Sequence, residues 1–337
     1  MALRVRGFAL PHGDPVDLYA DGDRWTTDPV GGAELVARGW LLPGLVDAHT
    51  HPGTAEQGQP LDEKLLREHL RAHLDAGVTL IRSPGLAADP PEWFGKDEDG
   101  PRAFHAGPWI AGVGPFIEGW GRRPGLERLA EVAAEQAGRT GWAKLIVDWD
   151  TSDGAVPVEV LREVVARVHA AGGRVAVHSQ QAEGGRVAVE SGVDSLEHGM
   201  CLDPQLLSRM AEQGTALTPT LALISRTLET VWDKPEGPRK TWYVGGASAH
   251  PALTAAAFEA GSPCWPAPTR GRTGVSPTRS VPLPPPGWRR TRRWPPRRGR
   301  RARTSVWAVW RRARPPTLSS STRTRAPICR SWTLPVP

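Results

Sequence analysis

The chain is poor in cysteine, with three among 337 residues: Cys201, Cys264 and Cys329. No two of them have a metal-finger or redox spacing, which excludes a disulfide framework and fits a reducing cytoplasm. Long apolar runs are lacking as well. The opening Met-Ala-Leu-Arg-Val-Arg-Gly-Phe-Ala-Leu is too broken for a signal peptide. No stretch approaches the roughly 20 apolar residues of a membrane span, so no membrane partner is expected. A third absence is local. From Ser262 to Pro337 there is no Asp, Glu or Lys, but there are 18 Arg and 15 of the 34 Pro. Removing those 18 positive charges from the formal net charge of +6 leaves −12 for residues 1–261, an ordinary acidic balance. Two compositions share one chain.

What is present before residue 262 has a rhythm. Residues 1–43 hold short strand candidates (Leu3–Phe8, Val16–Tyr19, Ala33–Val36) between Gly, Asp and Pro clusters, a small β-rich segment. Residues 44–261 then alternate. Extended runs are predicted at Gly44–His51, Val78–Ser83, Trp109–Val113, Ala143–Val147, Val175–His178, Ser195–His198 and Ala216–Leu223. Helices are predicted at Asp62–Ala76 (Asp62 as N-cap), Leu126–Ala137, Val158–Ala171, Ala182–Ser191, Pro204–Gln213 and Leu253–Ala260. Alternation over such a length implies an α/β fold with a parallel sheet. The count is seven strands, or eight if the tail supplies one. A (β/α)8 TIM-like barrel is the reading and a doubly wound sheet the alternative. In a barrel, chemistry sits at the C-terminal ends of the strands.

Polar residues fall at those ends. His49 and His51 close the first run, and in a strand i and i+2 share a face, so both imidazoles can reach one ion. Lys144 lies in Ala-Lys-Leu-Ile-Val, His178 ends Val-Ala-Val-His, and His198 ends Ser-Leu-Glu-His. His69 and His73 share a helix but lack the glutamate of a zinc protease motif between them, and are read as a solvent face. His12, His105, His169 and His250 have no visible partners and are read as structural.

The block Leu-Pro-Gly-Leu-Val-Asp-Ala-His-Thr-His, residues 42–51, resembles the first-strand signature of the amidohydrolase superfamily. His178 and His198, with Glu183 to Asp194 between them, resemble its strands 5 and 6. The branch most resembled holds imidazolonepropionase-like enzymes and prolidase-type dipeptidases, and the resemblance covers residues 1–261. It implies a barrel, a small β domain and one or two divalent metals, zinc being the expected ion. Carried over, His49 and His51 would bind the more buried metal and His178 and His198 the second. Lys144 would bridge the two as a carboxylated lysine, because an ammonium has no lone pair to donate. A water activated between the metals would then attack a carbonyl or amidine carbon. The implied activity is hydrolysis of a C–N bond in a cyclic amide, dipeptide or similar small molecule. A single-metal deaminase or imidazolonepropionase-type enzyme, with Lys144 merely structural, is the alternative. Trp120, Arg122, Arg123 and Trp149, in predicted loops at strand ends, are the substrate-binding candidates.

The family pattern also calls for an Asp at the end of strand 8, usually in Gly-Thr-Asp-Ala, to shuttle the proton from the attacking water. No Asp follows Asp233. The catalytic acid–base is therefore unassigned. The tail is read as frameshifted. Regrouping its bases one nucleotide earlier forces Leu at the Cys264–Trp265 junction and Ala at the Trp265–Pro266 junction, whatever the codons. With G or C at most third positions the segment becomes V-P-V-L-A-G-T-D-A-G-P-H-G, which resembles that strand. On this reading residues 262–337 are an out-of-frame, disordered tail, the eighth strand is lost and activity is impaired. Two other classes compete. Arg runs such as Arg289-Arg290-Thr291-Arg292-Arg293-Trp294 have the chemistry of nucleic-acid binding, although the complete lack of Lys suits shifted GC-rich codons better. A metal-binding pseudoenzyme would keep the ligands without the base.

Overall fold

The structure, a computed structural model, describes residues 2–22, 24–96, 99–112, 116–149, 151 and 154–267. The Arg-rich runs and the regrouped Asp lie outside the described residues. Two compact units divide between Leu45 and Val46.

The first unit is a four-stranded sheet of β1 (Leu3–Ala9), β2 (Asp14–Asp21), β3 (Arg24–Thr26) and β4 (Glu34–Leu41), in the order β3-β2-β1-β4. β1 runs antiparallel to β2 and parallel to β4. One face buries Val5, Ala37 and Leu41 against Val16, Leu18 and Trp25. On β1, Arg4 and Arg6 both pair with Asp17 of β2.

Strand β5 (Leu45–Asp47) begins at the boundary, and the second unit continues with α1 (Glu63–Asp75), β6 (Val78–Ser83), β7 (Arg102–His105) and β8 (Ile110–Ala111). They continue as α2 (Leu129–Thr140), β9 (Trp142–Ile146), α3 (Val158–Ala170), β10 (Arg174–Ser179), α4 (Ala182–Ser191) and β11 (Ser195–His198). The last are α5 (Leu207–Gln213), β12 (Ala216–Thr218), α6 (Leu221–Trp232) and α7 (Pro238–Glu259). Hydrogen-bonded order is β5-β6-β7 in one ladder and β8-β9-β10-β11-β12 in the other. The pairings resolved residue by residue, β6 with β7 and β8 through β12, are all parallel. Strands β9 and β11 are buried along their whole length, as expected where helices cover a parallel sheet. The core lies between these strands and α2, α3 and α4, with Leu145, Val164, Val168, Val177 and Leu196 fully buried.

Helix signals in the sequence operate as local chemistry predicts. Asp62 caps α1 by accepting from Leu65 N at 2.8 Å. Gly141, Gly192 and Gly214 end α2, α4 and α5 in the left-handed region. Two expectations fail near the end of the unit. The extended run expected to reach Leu223 stops at Thr218, and Leu221 already starts α6. The last helix begins at Pro238 rather than Leu253 and runs through Pro251. Its buried residues Tyr243, Ala247, His250, Thr254 and Ala257 recur at helical spacing, so tertiary packing outweighs the hydrogen bond that Pro251 removes.

The segment after α7 was expected to belong wholly to the disordered tail. Its first residues are instead hydrogen-bonded into the second unit. Leu217 N donates to Pro263 O at 2.7 Å, Trp265 N to Leu217 O at 2.8 Å, and Ala48 N to Pro266 O at 2.9 Å. One short stretch thereby satisfies backbone groups beside both β12 and β5.

Candidate metal centre

Four histidines meet ring against ring: His178 of β10, His198 of β11, and His49 and His51, which lie just past β5 because the extended run expected to reach His51 stops at Asp47. The His49 centroid lies 4.8 Å from His51 and 4.9 Å from His198, and His198 lies 4.6 Å from His178. Lys144 of β9 is 1% exposed, and its Nζ has no hydrogen-bond partner. Burial lowers its pKa to about 7, with Glu197 opposing and Arg82 assisting. Burial likewise holds all four imidazoles below their usual range, so they are neutral near pH 7.

The tautomers of the first pair follow from their partners. His49 Nδ1 is 2.6 Å from Glu197 Oε2, and His51 Nδ1 is 2.6 Å from Gly85 O. Burial alone would raise the Glu197 carboxyl, but Arg82, Lys144 and His49 hold it well below the usual carboxylate range. A carboxylate and a carbonyl only accept, so each Nδ1 carries the proton and each Nε2 is bare. Those two bare Nε2 atoms face each other at 3.0 Å. Two nitrogens sharing one tetrahedral zinc would stand roughly 3.3 Å apart. Among the described residues, no group of three or more His, Cys, Asp or Glu is arranged to hold one ion. The pairs fit a metal only if a further donor joins them, and the partnerless Lys144 stands among them.

Backbone geometry marks the same place. His198 (φ 68°) and Thr220 (φ 48°) are the non-glycine residues with positive φ among those described. They are joined by a 2.7 Å bond between His198 Nδ1 and Thr220 Oγ1. Left-handed backbone at non-glycine residues costs on the order of 1 kcal/mol or more and clusters at functional sites.

Aromatic rings continue outward from the histidines. Trp109 packs 5.0 Å from His51 and stacks on Trp120 at 4.7 Å, and Phe116 lies between Trp109 and Trp149. Trp149 reaches His178 at 5.1 Å. Of the substrate-binding candidates, Trp149 therefore touches the cluster and Trp120 stands one ring away. Arg122 turns to Glu135 of α2, and Arg123 donates to the carbonyls of Phe116 and Ile117.

Similar solved structures include a Xaa-Pro dipeptidase with methionine bound in its active site, at a TM-score of 0.64, 20% identity and 79% of each chain. An amidohydrolase superposes at 0.63, with 19% identity over 79% of this chain and 78% of that one. The A. niger ochratoxinase superposes at 0.61, with 15% identity over 79% and 75%. This chain shares the fold of these structures. No family model matches it. Uncharacterized proteins of Mycobacterium tuberculosis and Mycobacterium bovis are 37% identical to it over 228 residues, 65% of this chain and 61% of theirs. The chain thus aligns with about three fifths of those relatives' length.

Several residues that surround the histidines were not anticipated. Asp47 accepts from the His49 backbone N at 3.1 Å. His73 was expected to face solvent but is buried, with Nε2 3.3 Å from the Asp47 carboxylate and Nδ1 donating to His69 O. Its place on the inner face of α1 beside Leu66 and Leu70 was legible from the helical period. At Gly85 a Cβ would meet the Trp109 indole at 2.3 Å, so only glycine lets that carbonyl reach His51. Asp148, just beyond β9, accepts from Ser179 Oγ and from the backbone N of Gln180 and Gln181, tying β9 to the start of α4. His250, read as structural, is buried and bonded to Pro219 O at 2.8 Å. Arg82 and Glu197 form a buried ion pair across the strands. A charged residue ending the apolar run Val-Thr-Leu-Ile-Arg, and an acid inside Ser-Leu-Glu-His, were the available signals.

Proposed function

We propose that the chain is a metal-dependent hydrolase of a C–N bond in a small molecule such as a cyclic amide or dipeptide. It would use two zinc-like ions, one on His49 and His51, the other on His178 and His198. Lys144, carboxylated, would give each histidine pair the oxygen donor that it lacks. One observation carries the reading: two bare imidazole nitrogens directed at each other across 3.0 Å, which a cation between them reconciles. Lys144 Nζ, buried without a partner, supports it, since an ammonium left so is costly and a carbamate is not orphaned there. The similar Xaa-Pro dipeptidase structure favours an amide-type substrate.

A divalent pair, when bound, supplies an activated water at neutral pH and polarises a carbonyl. The chain's own groups supply the surroundings. Glu197 and Gly85 hold the first two imidazoles in the ligating tautomer, Thr220 orients His198, and the rings of Trp109 and Trp149 pack against His51 and His178. A second reading has its own observation. With no Asp after Asp233, the expected proton shuttle is missing, so the chain as written would retain metal and turn over slowly.

The test is metal analysis of the full chain expressed with zinc and bicarbonate, followed by a screen of dipeptides and N-acyl compounds. About two equivalents of zinc that leave with a chelator are expected. Metal-free protein, unable to take up zinc, would refute both readings. Zinc retention with no more than slow hydrolysis of any amide would select the second.

A further inference from the structure

We propose that Glu197, with one of its oxygens claimed by Arg82, is the positioning residue that sets the His49 tautomer. Its purpose rests on the metal reading above, but its test does not. Glu197 and Arg82 are both buried, at 0% and 2% exposure. The two carboxylate oxygens have separate tasks. Oε1 accepts from Arg82 Nη2 and from Ser195 Oγ at 2.6 Å, while Oε2 accepts from His49 Nδ1 at 2.6 Å. Arg82 is itself fixed. Its Nε donates to Ala48 O at 2.9 Å, and Nη2 also lies within reach of Ser195 Oγ and Thr218 Oγ1. Its guanidinium rests against the rings of Trp142 and Trp265, at 4.8 and 4.7 Å from their centroids.

A guanidinium only donates and stays protonated, so the atom of residue 197 bonded to it must be an acceptor, which in Glu or Gln is an oxygen. A carboxylate has a second oxygen left for His49, which fixes the imidazole proton on Nδ1 and leaves Nε2 free toward His51. A carboxamide has only one oxygen. In Glu197→Gln, Arg82 and Ser195 claim that oxygen and the NH2 group is turned on His49 Nδ1. The ring must then accept at Nδ1 and carry its proton on Nε2, the atom needed as ligand. A purely structural ion pair would show no such tautomer change, and its loss would lower stability only.

The experiment reads the imidazole nitrogens of 15N-histidine-labelled, metal-free full-length chain by NMR near neutral pH. The wild type should carry the His49 proton on Nδ1. Glu197→Gln should move it to Nε2, and Arg82→Met combined with Glu197→Gln should return it to Nδ1, because the amide oxygen is then free to turn. Zinc affinity, measured against a competing chelator, should fall about 10–100-fold in the single variant and recover in the double. A wild-type His49 protonated on Nε2 overturns the proposal, even if neither variant folds. So does a folded Glu197→Gln that keeps the proton on Nδ1. Failure of wild-type protein to bind zinc sinks the hydrolase reading instead and leaves the tautomer result to stand.

Discussion

Trp265 packs on Arg82: the guanidinium carbon lies 4.7 Å from the indole centroid, although the residues are 183 positions apart. Trp142 meets the same guanidinium at 4.8 Å and meets Trp265 edge to face at 6.3 Å. The short segment after α7 therefore contributes both backbone bonds and a ring to the second unit. Replacing Trp265 by Ala should destabilise the metal-free chain by about 2–3 kcal/mol, less than a fully buried tryptophan because Trp265 is half-buried. Trp265→Phe should retain most of that. Urea unfolding followed by circular dichroism measures both, and a loss below about 0.5 kcal/mol for Trp265→Ala would remove this segment from the fold's support.

Lys144 separates stability from metal binding. An unpaired buried ammonium opposes folding, and exchange of buried charge for apolar volume often gains about 1–4 kcal/mol. Lys144→Met should therefore raise the urea midpoint of the metal-free chain while lowering the zinc that the chain retains. Equal metal content in variant and wild type would show that Lys144 is no ligand.

The pH dependence of stability should carry a contribution from His250. Burial holds its pKa below the usual 6.5, only partly opposed by its bond to Pro219 O. The folded form is thus neutral where the unfolded chain already takes up a proton. This contribution is fully present above pH 6.5 and is lost as pH falls through the folded value. His250→Gln keeps an N–H for the Pro219 carbonyl but cannot titrate. Its stability should fall less steeply below pH 6.5 than that of the wild type, in urea melts at several pH values. An unchanged slope would assign the acid sensitivity elsewhere.

Gly184 sets two effects against each other. Alanine is the better helix former by about 1 kcal/mol, yet a Cβ there would meet Asp148 Oδ2 at 1.9 Å and Ser179 Oγ at 2.8 Å. Asp148 is buried and holds three donors, so it has little room to give, and overpacking typically costs about 1–3 kcal/mol. Gly184→Ala should be net destabilising, and zinc binding at His178 should weaken because Ser179 follows it on β10. A more stable variant, judged by thermal melting, would place the strain elsewhere.

Much of this was legible from local pattern. Val78–Ser83, Ala182–Ser191 and Ser195–His198 coincide with β6, α4 and β11, because period and punctuation act within a few residues. The apolar run Ala216–Leu223, expected to be extended throughout, is divided by the left-handed Thr220, which no periodicity reveals. The predicted helix Leu253–Ala260 is only the last part of α7, which runs through Pro251 because packing of its face outweighs a single missing hydrogen bond.

The sequence by itself determined that five ligand-type side chains, His49, His51, Lys144, His178 and His198, sit in or at the ends of apolar strand runs. Strand alternation and the order of βα units are short-range properties of the chain. Only the tertiary structure decided which groups answer them. The carboxylate of Glu197 and the guanidinium of Arg82 meet from strands 115 residues apart, and their contact decides which nitrogen of His49 is free. A pattern assigns a side chain to a face, whereas hydrogen bonding depends on the partner that the fold brings to that face.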